Sequence, residues 1–155
     1  TQDVSDLLGR TAKALDASGL VVWVTAADGR SLQPALTYGY SDKVVSRLGT
    51  LEIDADNITS SCFRSKRSQT MSGSGQPGAT SAIAVPLVTA DGCHGVMSAE
   101  LRVIKPSIDT ISVARIVGTQ LATMLSPSAA ETTIGSPRDH VSVEDNDVAP
   151  RAARG

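Results

Sequence analysis

Aromatic side chains are almost missing from this sequence. Its 155 residues hold one Trp, two Tyr and one Phe, namely Trp23, Tyr38, Tyr40 and Phe63, so few ring faces are available to a core or a planar ligand. Cysteine is equally scarce. Two cannot build a disulfide framework, and two His beside them show no zinc-ligand spacing. No run approaches the ~18 apolar residues of a membrane helix, and no charged-then-apolar signal segment opens the chain. An excess of one charge is missing too. The formal net charge is −2, which leaves no electrostatic footprint for nucleic acid. These absences predict a soluble, cytoplasmic protein with neither nucleic acid nor membrane as partner. The start at Thr1 rather than Met suggests an excised or processed segment with a neighbouring domain beyond it.

What is present suffices for one core. The length predicts a single domain at ~100–200 residues each. Val, Leu, Ile and Phe make up 36 of the 155 residues, above the ~20% below which a charged chain is expected to stay disordered. They are unevenly spread. Residues 1–125 carry 32 of the 36, with 11 acidic and 11 basic side chains. Residues 126–155 carry 5 acidic and 3 basic side chains, three prolines and many Ser, Ala and Asp. That stretch cannot bury enough apolar surface to offset chain entropy and reads as a flexible acidic tail. The domain is thus expected over 1–125.

Val4, Leu7, Leu8, Thr11, Ala12 and Leu15 fall at helical spacing, predicting a first helix over 3–16 with Gly19 just past its end. Leu20–Thr25 and Ser31–Tyr38 flank an Asp28-Gly29 turn and read as a hairpin, with Leu32, Pro34, Leu36 and Tyr38 alternating along its second strand. Ser41–Leu48 and Asn57–Ser65 read as short helices, the second with Asn57 as N-cap. Ser68–Met71 is a weak strand, followed by a loop over 72–79. The clearest pattern is Ile83, Val85 and Leu87 alternating with Ala82, Ala84 and Pro86, a turn at Asp91-Gly92, and alternation again from Cys93 to Val103. It predicts a half-buried antiparallel pair with one mainly polar face. Pro106 ends it, and a last helix follows over 107–125. Antiparallel strands grouped between terminal helices predict an α+β fold.

The run Ala82-Ile83-Ala84-Val85-Pro86-Leu87, then Asp91-Gly92, then Gly95-Val96-Met97-Ser98-Ala99-Glu100-Leu101, resembles a recurring hairpin of GAF domains, small-molecule sensor modules related to PAS. The last helix through Val113–Ala122 resembles their closing helix, and Gly19–Val22 with Asp28-Gly29 is similar to their opening strand. The resemblance spans about residues 3–125; PAS- and profilin-like folds are the next alternatives. It implies a central antiparallel sheet of five to six strands. The first and last helices would cover one face and pair between protomers, while short helices and loops on the other face enclose a pocket. Family members bind cyclic nucleotides, bilins, haem or small metabolites, or only dimerise, and fold does not choose among these.

Several motifs invite sharper readings. The glycines at 73, 75 and 78 satisfy G-x-G-x-x-G by letter, but the mechanism needs them between a strand and a helix; here they precede a strand, as a plain loop does. Cys93-His94 could be a nucleophile and base, yet adjacent residues in a strand point to opposite faces, leaving a small buried Cys93 on the apolar face. Bilin-binding relatives carry Cys-His near a helix, not in a late strand. The cyclic-nucleotide pattern of the family is incomplete: Asn57 and Phe63 are present, but Ile58 stands at the basic position and no Asp-Glu follows. Free methionine-(R)-sulfoxide reductases share the fold, and Cys62 and Cys93 keep such a redox enzyme open as the alternative, although neither lies where that branch has its cysteines. Arg64, Lys66 and Arg67 form a basic cluster that reads as a solvated surface or as an anion-binding rim.

The expected function is therefore a non-enzymatic regulatory module in signal transduction, binding a small molecule, dimerising, or both. Tyr38, Tyr40, Asn57, Cys62, Phe63, Ser81 and Ser98 are the candidate ligand-binding residues, and ordinary packing is the competing role for each. Neither a cofactor nor a catalytic or metal-ligating set is assigned. A degenerate domain with its pocket filled by its own side chains is the third reading.

Overall fold

The structure, a computed structural model, describes residues 2–126 apart from 75 and 77–79. The acidic tail from 127 onward and half of the glycine-rich run at 73–78 lie outside the described residues. Helix α1 (Gln2–Leu15) buries Leu8, Thr11, Ala12 and Leu15, which helical spacing puts on one face. It ends where Asp16 adopts a left-handed conformation (φ 55°), and β1 (Ala17–Thr25) starts at the next residue. Gly19 lies past the helix end, as expected, and inside the strand. A Cβ there would lie 2.3 Å from Cζ of Tyr40, so the tyrosine ring rests on bare backbone.

Strand β1 turns back into β2 (Ser31–Tyr38) through a turn closed by Asp28, whose carboxylate accepts from the Arg30 amide at 2.8 Å. That bond holds the Asp28 carboxyl below its ordinary range. Helix α2 (Asp42–Val45) is shorter than the expected 41–48. A two-residue strand β3 (Leu51–Glu52) follows, too short for any periodicity to announce. Next come α3 (Ile58–Ser65), β4 (Gln69–Met71), β5 (Ser81–Thr89) and β6 (Gly92–Leu101). The last helix, α4 (Ile108–Leu125), is capped by Ser107, whose hydroxyl accepts from the Thr110 amide. The six strands form one antiparallel sheet in the order β3-β2-β1-β6-β5-β4, so the fold is α+β as expected.

Both faces of the sheet are covered. On one, α1 and α4 lie over Leu20, Val22, Ile83, Val85, Met97 and Leu101. Full burial of each such side chain contributes about 1.5–3 kcal/mol. On the other, α3 and the loops around it cover Val21, Trp23, Leu32, Ala84 and Val96. The face of β6 expected to be mainly polar is therefore a second core: Val96 is fully buried, and only Glu100 reaches solvent freely.

One irregularity repositions an expected site residue. The β1–β2 register passes from Val22↔Leu36 to Trp23↔Pro34, leaving Ala35 without a partner. Side chains alternate with period 2, so one extra residue moves everything beyond it to the opposite face. Leu32 packs in the α3-side core, whereas Leu36 packs against the helix-side core. The simple alternation of Leu32, Pro34, Leu36 and Tyr38 thus does not describe one face.

Candidate functional site

The space between α3 and the sheet is where the sequence points to a ligand. Asn57 begins it: its Oδ1 accepts from the Ser60 amide at 2.7 Å, the N-cap expected for this helix. The first turn is then tied to β3, because Ser60 donates to the Glu52 carbonyl at 2.8 Å. Arg64, one turn further, donates to the carbonyls of Ala55 and Ile53. Held this way, α3 pushes Cys62 into the sheet, where it is fully buried among Trp23, Ala84 and Val96. Phe63 and Tyr40 pack around that cluster. Trp23 donates from Nε1 to the Ser98 hydroxyl at 3.0 Å, which satisfies both polar groups internally. The chamber is filled by the chain's own side chains.

The seven candidate residues divide accordingly. Tyr40, Cys62, Phe63 and Ser98 meet on the α3 side, and Asn57 caps the helix above them. Tyr38 lies beyond the bulge, against Gly9 of α1, in a groove of about 690 Å³ with Asp3, Asp6, Arg10 and Lys13. Ser81 is buried, with its hydroxyl donating to the Val103 carbonyl at 2.7 Å. Asn57 borders a separate cleft of about 560 Å³ with Ile58, Leu51, Gln69 and Met71.

The titratable groups of the chamber are held neutral. Burial, reinforced by the neighbouring Cys93, pushes the Cys62 thiol up to about 12. Burial also raises Cys93, whose thiol donates to the Gly95 carbonyl at 3.4 Å. Tyr40 is pushed up to about 12 by burial and then by the Glu100 carboxylate. Protonated thiols are poor nucleophiles. His94 bonds to the Thr89 hydroxyl at 2.7 Å, while Cys93 engages backbone, so the two adjacent residues make no dyad. Cys93 is only partly buried and belongs to neither core cluster, contrary to the expected place on the apolar face. Among the described residues, no three His, Cys, Asp or Glu side chains gather as a metal-binding group.

The expected basic cluster is split by the fold. Arg64 turns to the loop at 53–55, while Lys66 and Arg67 line a cleft of about 610 Å³ that also takes in Arg115 and Thr119 of α4. Arg115 and Thr119 were not legible as partners of Lys66, because about fifty residues of chain separate them. Nor was the anchoring role of Ser60 and Arg64, although helical spacing does place those two on one face.

In sequence, the chain matches no family model and no curated protein. In structure it matches GAF domains. The GAF domain of a phosphoenolpyruvate-protein phosphotransferase from Coxiella burnetii superposes with a TM-score of 0.70 at 12% identity, covering 86% of each chain. The corresponding domain from Acinetobacter gives 0.66 at 12% identity, over 83% of this chain and 82% of that one. The second GAF domain of DevS from Mycobacterium smegmatis gives 0.66 at 18% identity, over 82% of this chain and 93% of that one. The chain has the GAF fold.

Proposed function

We propose that this chain is a non-enzymatic regulatory module of the GAF type, one that acts by pairing with a second copy through α1 and α4. The carrying observation is the outer surface of α4. Its 18 residues include only two charges, Asp109 and Arg115, yet Ile108, Ile116 and Met124 stand 81%, 62% and 49% exposed. Depletion of charge with apolar side chains left in water is the composition of an interface core, not of a solvated helix. Met124 and Leu7 also line an open groove of about 550 Å³ between α4 and α1, with Asp3 and Arg10 on the α1 side, so α1 adds a polar rim to the surface. The packed α3-side chamber supports the same reading, since it leaves a dimerising role more natural than an enclosed ligand. The raised thiols of Cys62 and Cys93 weigh against the redox alternative.

Several structurally similar GAF units come from larger proteins, including a GAF domain/HD domain protein from Geobacter sulfurreducens. That supports a neighbouring effector domain driven by the helix pair. A signal passes only if the two arrangements of the helices differ in free energy for whatever binds. No described helix is long and apolar enough to cross a membrane. Sedimentation velocity tests the reading. The wild type should run as a dimer at micromolar concentration and Ile116→Glu as a monomer. A monomeric wild type throughout that range removes it.

A further inference from the structure

Three cations from two distant parts of the chain face one cleft. Lys66 and Arg67 stand on the turn after α3, and Arg115 comes from α4. The cleft holds about 610 Å³, within the range of small-molecule sites. Its position follows from the sheet: β4 pairs with Ala82–Ala84, and among the described residues no strand pairs with β5 beyond Ala84 on that side. Pro86 and Val88 form the exposed apolar wall, over the buried Val85, and Ser68 and Thr119 add hydroxyls. Among the described residues, no acidic side chain lines it. Among the described residues, none of the three cations makes a salt bridge. Residues 1–125 carry equal numbers of acids and bases, so this gathering is a local arrangement and not a reflection of a basic chain. Like charges around a shared cleft repel one another until an anion enters. Guanidinium forks suit the oxygens of a phosphate in particular.

We propose that this cleft binds a small phosphate monoester, with its phosphate between Lys66, Arg67 and Arg115 and its apolar or planar body against Pro86 and Val88. The site lies outside the α3-side chamber and is formed within one chain. Because Arg115 and Thr119 belong to α4, an occupant touches the helix that carries the proposed interface.

Calorimetry on the full 155-residue chain, with phenyl phosphate, inorganic phosphate and phenol as probes, tests it. Phenyl phosphate should bind, inorganic phosphate about tenfold more weakly, and phenol not measurably. R67A and R115A should each weaken phenyl phosphate about tenfold, as expected for loss of one charge-assisted contact. R47A, which removes an exposed cation elsewhere, should leave it unchanged. Amide resonances of Ser68 and Thr119 should shift on titration. All three side chains are exposed, and circular dichroism of each variant confirms that a lost affinity is not a lost fold. Absence of phenyl phosphate binding at millimolar concentration overturns the proposal, as does binding that survives the R67A/R115A double substitution. Phenyl phosphate binding no tighter than inorganic phosphate overturns the role given to the apolar wall.

Discussion

At the scale of single residues, the chamber side chains behave as core. Cys62 and Tyr40 are held near 12, against ordinary values of 9.0 and 10.0. The unfolded chain releases those protons earlier, so the native state holds more of them between about pH 9 and 12. Stability therefore falls as pH rises through that window. Urea midpoints at pH 8 and pH 10.5 check the sign; a higher midpoint at pH 10.5 contradicts it. The same burial predicts that a thiol reagent modifies Cys62 only on unfolding, measurable in the Cys93→Ser variant. Asn57 is a cap whatever else it touches, and Asn57→Ala should cost about 1 kcal/mol in chemical denaturation, with Asn57→Asp retaining most of it. The cap was legible because its spacing from the helix is local. The burial of Tyr40 was not, since Gly19 meets it only across the fold.

At the scale of elements, two glycines set how closely strands and helices approach. A Cβ on Gly118 would lie 3.1 Å from Cγ2 of Val85, so α4 rests directly on β5 at that point. Gly118→Leu should force the helix outward and cost about 1–3 kcal/mol, read as a lower denaturation midpoint. Gly95 is tighter, its added Cβ falling 1.9 Å from the Trp23 carbonyl oxygen. Gly95→Ala should therefore reach or exceed the upper end of that ~1–3 kcal/mol range. Alternation in β5 and β6 was readable because both strands keep near-regular register from Ser81 to Leu87. The bulge opposite Ala35 was not readable: nothing in Pro34-Ala35-Leu36 marks which residue goes unpaired, and that choice puts Tyr38 on the helix side. β3 was missed because two residues carry no period.

At the scale of the whole molecule, one sheet carries two cores, and the two surfaces of interest lie outside both. The last helix offers an apolar, charge-poor face, and the edge of β5 offers a cationic cleft. Residues 81–101 placed the central hairpin by their alternation, and 2–15 and 108–125 placed the terminal helices, because periodic burial of one face is a property of local sequence. The resemblance in the late hairpin then indicated the sheet they cover. Helical and strand periods, caps and Asp-Gly turns act over a few residues, so the sequence by itself determined the longer elements and the α+β class. Only the tertiary structure decided that Trp23, Cys62 and Val96 fill the α3-side chamber, that Tyr38 stands apart from Tyr40, and that Arg115 joins Lys66 and Arg67. Those are contacts between residues far apart in the chain, fixed by register, a bulge and helix packing, and no local pattern encodes them.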